Sequence, residues 1–172
     1  MTQAFPSSNP PSFEIDAPIG VIADTHGLLR DEACRVLEGC ALILHLGDVG
    51  DEAILERLAE MAPLFTVRGN IDTQPWCERL PVRQDLIVNG QRLHLVHDIA
   101  DFDVQTPCGI VLHGHSHKPR NAWQENDGTE SSRLYFNPGG AGKRRFSLPI
   151  TVGKLWLDQP EPRGAVIHLP LC

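Results

Sequence analysis

Five short apolar runs in this chain each end on Asp, His or Asn, four of them beside a glycine. Residues 18–23 run into Asp24-Thr25-His26-Gly27, residues 41–46 into Gly47-Asp48, and residues 64–67 into Gly69-Asn70 after one arginine. Residues 93–96 are followed by His97, and residues 110–112 by His113-Gly114-His115-Ser116-His117. Short runs of Val, Ile and Leu bounded in this way are buried strands. In sheets of mixed α/β proteins, ligands gather at strand ends. The chain therefore either folds its strand ends to one edge or leaves these polar residues as unrelated turn formers.

Helical signals separate the first three runs. Asp31 begins a helix with Ala33, Cys34, Val36 and Leu37 on one face, and Gly39 suits its end. Asp51 is a good cap for a second helix whose stripe is Ile54, Leu55, Leu58 and Met61, stopped by Pro63. The order β-α-β-α-β predicts a parallel sheet with covering helices. Further on, Asn89-Gly90 joins two strands as a tight hairpin. Asn126-Asp127-Gly128 marks a second one. Strands follow at residues 110–112, 134–136, 150–157 and 165–169 with little helix between them, so they need a second sheet to bury one face. The expected fold class is α/β, with two stacked mixed sheets flanked by helices.

Met1 to about Phe13, rich in Ser, Pro and Asn, reads as a flexible tail. Residues 14–172 then form a single domain of adequate size for one core. No run is long and apolar enough to cross a bilayer, and no basic-then-apolar leader opens the chain. The expected location is cytoplasmic, with no membrane contact. The five cysteines, Cys34, Cys40, Cys77, Cys108 and Cys172, include no CxxC pair and read as reduced thiols. A net charge of -7 argues against extended nucleic-acid binding. It does not exclude a small phosphate ligand, because bound cations reverse the local field.

The strand-end residues are a donor set of mixed oxygen and nitrogen. Residues two apart in an extended chain share a face, so Asp24 and His26, and again His115 and His117, can converge. Mixed donors suit Mn²⁺, Fe²⁺ or Zn²⁺ better than an all-oxygen Ca²⁺ site. Seven donors exceed the need of one small ion, whereas two ions sharing a carboxylate would use them all. Gly27, Gly47, Gly69 and Gly114 allow sharp turns and close approach of the backbone.

In this order the motifs Asp24-Thr25-His26-Gly27, Gly47-Asp48-Val49, Gly69-Asn70-Ile71-Asp72, His97, Gly114-His115-Ser116-His117 and Asn137-Pro138-Gly139-Gly140 resemble the calcineurin-like metallophosphoesterases. Within that superfamily the chain is most similar to the small bacterial and archaeal phosphodiesterase branch, which includes the eukaryotic retromer scaffold subunit. The likeness spans about Pro18 to Leu157. It implies a four-layer αββα sandwich and two divalent ions, Mn²⁺ first, with Fe²⁺, Ni²⁺ and Zn²⁺ as alternatives. It further implies one ion on Asp24, His26, Asp48 and His117, and another on Asp48, Asn70, His97 and His115. Asp48 bridges them, with a bridging water or hydroxide opposite, and the Asn137 turn is structural.

Three departures stand out. Ile71 occupies a place where phosphatase branches carry a proton-donating histidine, leaving no protein general acid assigned. Asp98 replaces a usual glycine after His97, where it could orient a ligand histidine or repel an anionic substrate. The stretch from Asp98 to Cys108 is short for the family. Arg144 and Arg145 are candidate substrate contacts on a turn that otherwise reads as solvated. His113 is a candidate for a place behind the ligands; His45, His94 and His168 read as bystanders. The expected activity is hydrolysis of a small phosphoester, most of all a phosphodiester with a good leaving group. The alternative is a non-catalytic metal-binding scaffold or a nucleotide-binding regulator on the same fold. A homo-oligomer is compatible with the sequence.

Overall fold

Helices return the chain between the first apolar runs, so those runs pair in parallel. The computed structural model describes residues 9–125 and 132–170. Within them β1 is Ser12–Phe13, β2 Ile19–Ile22, α1 Asp31–Leu37, β3 Leu42–His45, α2 Glu52–Met61 and β4 Leu64–Thr66. There follow β5 Arg83–Val88, β6 Gln91–Val96, β7 Ile110–Leu112, β8 Arg120–Glu125, β9 Ser132–Asn137, β10 Thr151–Trp156 and β11 Arg163–His168. One mixed sheet has the order β11-β10-β2-β3-β4 and the other β1-β5-β6-β7-β9-β8.

Alternation along β2 divides the interior. Ile19 and Val21 face the second sheet and join Leu42, Leu44, Leu93, Leu95, Ile110, Leu112 and Phe136 in the core between sheets. Ile22 faces outward with Ile43, and α1 and α2 cover them through Ala33, Leu37, Ile54, Leu55 and Leu58. The Asp51 carboxylate caps α2 by accepting from the Ala53 N–H at 3.0 Å, as expected. Asn89 and Gly90 adopt φ of 49° and 76°, the left-handed pair of a two-residue hairpin.

The sandwich is thinner on its far side than the four-layer expectation. Among the described residues no α-helix covers the outer face of the six-stranded sheet. A 3₁₀ turn at Ile99–Asp101 and the loop after it lie there instead. Buried Arg133 holds that loop by donating to the carbonyls of Val104, Thr106 and Cys108, with its guanidinium 5.1 Å from the Phe102 ring. The short 98–108 stretch thus closes the sheet with one hub residue instead of a helix.

Two strands escaped the sequence reading. β1 lies in the segment expected as tail and pairs in parallel with β5, where the Phe13 ring meets Phe65 edge-on at 5.5 Å. β8 is a largely exposed edge strand without apolar alternation, antiparallel to β9. The expected hairpin at Asn126-Asp127-Gly128 lies outside the described residues.

Candidate metal centre

The carboxyl ends of β2, β3, β4, β6, β7 and β9 meet at one edge of the sandwich. The Asp24 N–H donates to the Gly47 carbonyl (3.0 Å), the His26 N–H to Asp48 (2.9 Å), and the Gly114 N–H to His97 (2.9 Å). His97 Nδ1 lies 2.7 Å from the Leu46 carbonyl, tying the two sheets together. Close approach demands glycine at position 47 and leaves little room for a side chain at position 114. A Cβ on Gly47 would stand 2.7 Å from His97 Nδ1, and one on Gly114 3.1 Å from Asp24 Oδ2.

The seven candidate ligands come together in two clusters. Asp24, His26 and His117 form one, and Asp48, His97 and His115 the other, with Asn70 beside the second. In the first, His26 Nε2 is 3.2 Å from His117 Nε2, and His117 Nε2 is 3.6 Å from Asp24 Oδ1. In the second, Asn70 Oδ1 is 2.9 Å from His97 Nε2 and 3.0 Å from His115 Nδ1. Asp48 stands between them: Oδ2 is 3.5 Å from His26 Nε2 and Oδ1 is 3.3 Å from His97 Nε2.

Hydrogen-bond chemistry shows that these atoms suit a cation. A carbonyl only accepts, so His97 Nδ1 carries the hydrogen pointing at Leu46. Neutral His97 then presents a bare Nε2 lone pair to Asn70 Oδ1 and Asp48 Oδ1, both of which also only accept. Asp24 is fully buried, and neither carboxylate oxygen has a hydrogen-bond partner among the described residues. Such convergence of lone pairs is unfavourable until a positive charge enters.

Proton affinities bear the same mark. Burial pushes the Asp24 carboxyl up to about 7, despite the lowering influence of His97. Burial also acts to raise Asp48, but hydrogen bonds from His97 and the Ile71 N–H outweigh it and hold that carboxyl at about 2. Burial lowers His26, and lowers His117 to about 4. His97 goes the other way: burial works against its charged form, but the bonds to Asp48 and the Leu46 carbonyl raise its pKa.

The means of convergence differs from the extended-chain expectation. Asp24, His26, Asp48, His115 and His117 all have left-handed backbones, with φ of 54°, 47°, 55°, 67° and 57°. Each such residue costs of order 1 kcal/mol or more, and such outliers concentrate at functional sites. The turns also send His115 and His117 to different clusters.

Three supporting groups brace these loops, and of them only the Asn137 turn was expected from sequence to be structural. The Asp72 carboxylate accepts from the N–H groups of Val49 (2.9 Å), Gly50 (3.2 Å) and Gly69 (2.8 Å), joining the loops of Asp48 and Asn70. Its signal was a carboxylate two residues past Asn70. The Thr25 hydroxyl donates to the Val49 carbonyl (2.9 Å), so His45 Nε2 must donate to Thr25 Oγ (3.0 Å) while Nδ1 accepts from Gly47 N–H (3.2 Å). Burial lowers His45 to about 3, in keeping with this neutral form. His45 is therefore a core residue, as expected, and also a clamp on two site loops. Asn137 donates to the Gly114 carbonyl (3.0 Å) and Ser116 Oγ (3.2 Å), and accepts from Gly139 N–H (2.9 Å), bracing the loop of His115 and His117.

The remaining candidates lie around the clusters. Asp98 Oδ1 accepts from Ala100 N–H (3.0 Å), and Oδ2 lies 3.6 Å from His115 Nε2. His113 is buried beside Asn137, and its pKa falls to about 4 through burial. A cleft of about 270 Å³ opens beside the second cluster, with Arg68, Val82, Asp98 and Asp101 in its walls. Arg144 and Arg145 are exposed on the loop before β10. No helix among the described residues is long and apolar enough to cross a membrane.

Known proteins are similar to this chain in sequence and in fold. A probable metallophosphoesterase of Methanothermobacter thermautotrophicus is 29% identical over 173 residues, covering 90% of this chain and 95% of that protein. Another, from Methanocaldococcus jannaschii, is 31% identical over 123 residues, so the match spans 59% of this chain and only 59% of the relative. Among solved structures, Vps29 of Chaetomium thermophilum has the same fold, with a TM-score of 0.67 at 17% identity over 91% of this chain and 97% of its own. The calcineurin-like phosphoesterase superfamily domain matches residues 18–159, from the first strand of the site past the last loop that braces it. With both clusters and their supporting loops inside that match, the chain belongs to the calcineurin-like phosphoesterase superfamily.

Proposed function

We propose that this protein is a dinuclear metal-dependent phosphoesterase acting best on phosphodiesters with good leaving groups. The observation that carries the proposal is Asp48, which turns one carboxylate oxygen toward each cluster, at 3.5 and 3.3 Å from the facing histidines. In this reading Asp24, His26, Asp48 and His117 hold one ion, and Asp48, Asn70, His97 and His115 the other. Mn²⁺ is the preferred ion, and Fe²⁺, Ni²⁺ and Zn²⁺ suit the same donors. Two ions held there would supply Lewis-acid activation of the phosphate ester and an acidified water as nucleophile.

The protein's own contribution is placement. Leu46 fixes the His97 tautomer, and Asp72, His45 and Asn137 brace the loops. The Ile71 N–H, 3.1 Å from Asp48 Oδ1, holds the shared carboxylate in orientation. Asp98 lies where it steadies the His115 ring. No side chain at position 71 donates a proton to the departing oxygen, so good leaving groups are favoured. A scaffold working through its surfaces has no use for a buried carboxylate without a partner or for seven intact donors, which favours the enzyme over that alternative. Chelator-treated protein should be inert toward an aryl phosphodiester and should gain turnover as Mn²⁺ is added. Failure with each of Mn²⁺, Ni²⁺, Zn²⁺ and Mg²⁺ overturns the proposal.

Asp24 supplies a separate prediction. In chelator-treated protein at pH 8, Asp24→Asn removes a buried charge that has no hydrogen-bond partner among the described residues, worth about 1–3 kcal/mol. For a chain of this size the melting temperature should rise by about 2–4 °C per kcal/mol. The same variant should lose most of the extra stabilisation that Mn²⁺ confers. Calorimetry with and without Mn²⁺ reads both effects, and a lower melting temperature for metal-free Asp24→Asn contradicts the assignment.

A further inference from the structure

The loop of residues 143–149 leaves and rejoins the fold beside the first cluster. The Ala141 N–H donates to the Ala23 carbonyl (3.0 Å), Arg30 Nε donates to the Gly142 carbonyl (3.1 Å), and Gly140 pairs with Ile150. A Cβ on Gly140 would stand 2.5 Å from His117 Nδ1, and Gly142 presses on the Thr25 carbonyl. The base of the loop is therefore fixed against the segments that carry Asp24, His26 and His117.

The tip of the loop is unusual. The Leu148 N–H donates to the Arg145 carbonyl (3.0 Å), and Arg144 Nε donates to the Leu148 carbonyl (3.3 Å). Phe146, inside this turn, has a left-handed φ of 51° and a side chain that is 94% exposed. A bulky residue is an outlier in that region of backbone space. The chain thus holds an aromatic ring in water by a conformation that phenylalanine disfavours. Arg144 is engaged within the loop. Arg145 has no hydrogen-bond or ion-pair partner from its side chain among the described residues. The cleft beside the second cluster carries two carboxylates, Asp98 and Asp101, against one cation, Arg68.

We propose that Arg145 and Phe146 form a substrate arm over the first cluster. Arg145 pairs with a non-bridging phosphate oxygen, and Phe146 stacks on a planar aromatic group carried by the ester, a nucleobase or an aryl ring. This names the substrate class of the phosphoesterase site and rests on that function, since the arm serves only where a phosphate docks.

The test is calorimetric binding to Mn²⁺-loaded protein, with adenosine 5′-monophosphate, methyl phosphate and inorganic phosphate as probes. Wild type should bind the adenosine compound at least about fivefold more tightly than methyl phosphate, the lower end of base stacking on an aromatic side chain. Phe146→Ala should erase that preference and leave methyl phosphate unchanged, while Phe146→Trp should keep it. Arg145→Ala should weaken all three probes in parallel, and less so at high salt. No aromatic preference in wild type, or one that survives Phe146→Ala, overturns the arm. Turnover of an aryl diester is measured on the same preparation. Turnover without aromatic preference defeats the arm alone, and aromatic preference without turnover defeats the hydrolase and keeps the arm.

Discussion

Asp48→Asn is expected to weaken both metal sites together, by at least about 100-fold each, and to abolish hydrolysis with them. Changing a group that merely orients a ligand already costs about 10–100-fold in metal affinity, and Asp48 is itself a proposed ligand to both ions. Its two oxygens face different clusters, and its Oδ1 also accepts the Ile71 N–H. An amide there has one acceptor oxygen. If that oxygen serves Ile71 and the second cluster, an NH₂ group faces His26, and the reverse orientation repels the Ile71 N–H. His26→Ala removes a donor from the first cluster alone and should spare the second. Asn70→Ala should do the opposite. Manganese titrations of the three variants separate these cases. Wild-type affinity at both sites in Asp48→Asn would show that the carboxylate does not bridge.

The second large effect concerns the leaving group. General acid assistance is typically worth about 10²–10⁴-fold, and an isoleucine at position 71 supplies none. Nitrophenolate-like groups depart as stable anions and lose little. Alkoxides need a proton and lose the full factor. Turnover should fall steeply as leaving-group pKa rises, with aryl diesters ahead of alkyl monoesters. Ile71→His should flatten that dependence if the imidazole reaches the departing oxygen. The measurement is kcat/KM over a series of aryl and alkyl phosphoesters for both proteins. Indifference of the wild type to leaving-group pKa would mean that another group, Asp98 or His113 among the nearby candidates, donates the proton.

The candidate ligands were legible in sequence because each ends an apolar run, and hydrophobic patterning is local. The parallel start of the chain was legible for the same reason, since a helix beginning at Asp31 and another capped by Asp51 separate its strands. The local geometry was not. Asp24 and His26 converge through left-handed turns, not through the two-residue repeat of a strand, and hydrophobic patterning carries no sign of φ. Groups that act through other residues were hidden as well. Asp72 matters because three N–H groups from two loops reach it, a fact of tertiary structure. Arg133 looks like a surface residue of a short strand, yet it is buried and holds the 104–108 loop. β8 went unseen because an exposed edge strand need not alternate, and β1 because a parallel partner far along the chain decides its state.

Anomalous diffraction from Mn²⁺-soaked crystals tests the central claim most directly. The account predicts two manganese peaks per chain. One should lie among Asp24, His26 and His117, and the other among Asn70, His97 and His115, with one Asp48 oxygen on each. A single peak, or two peaks that do not share Asp48, would contradict it.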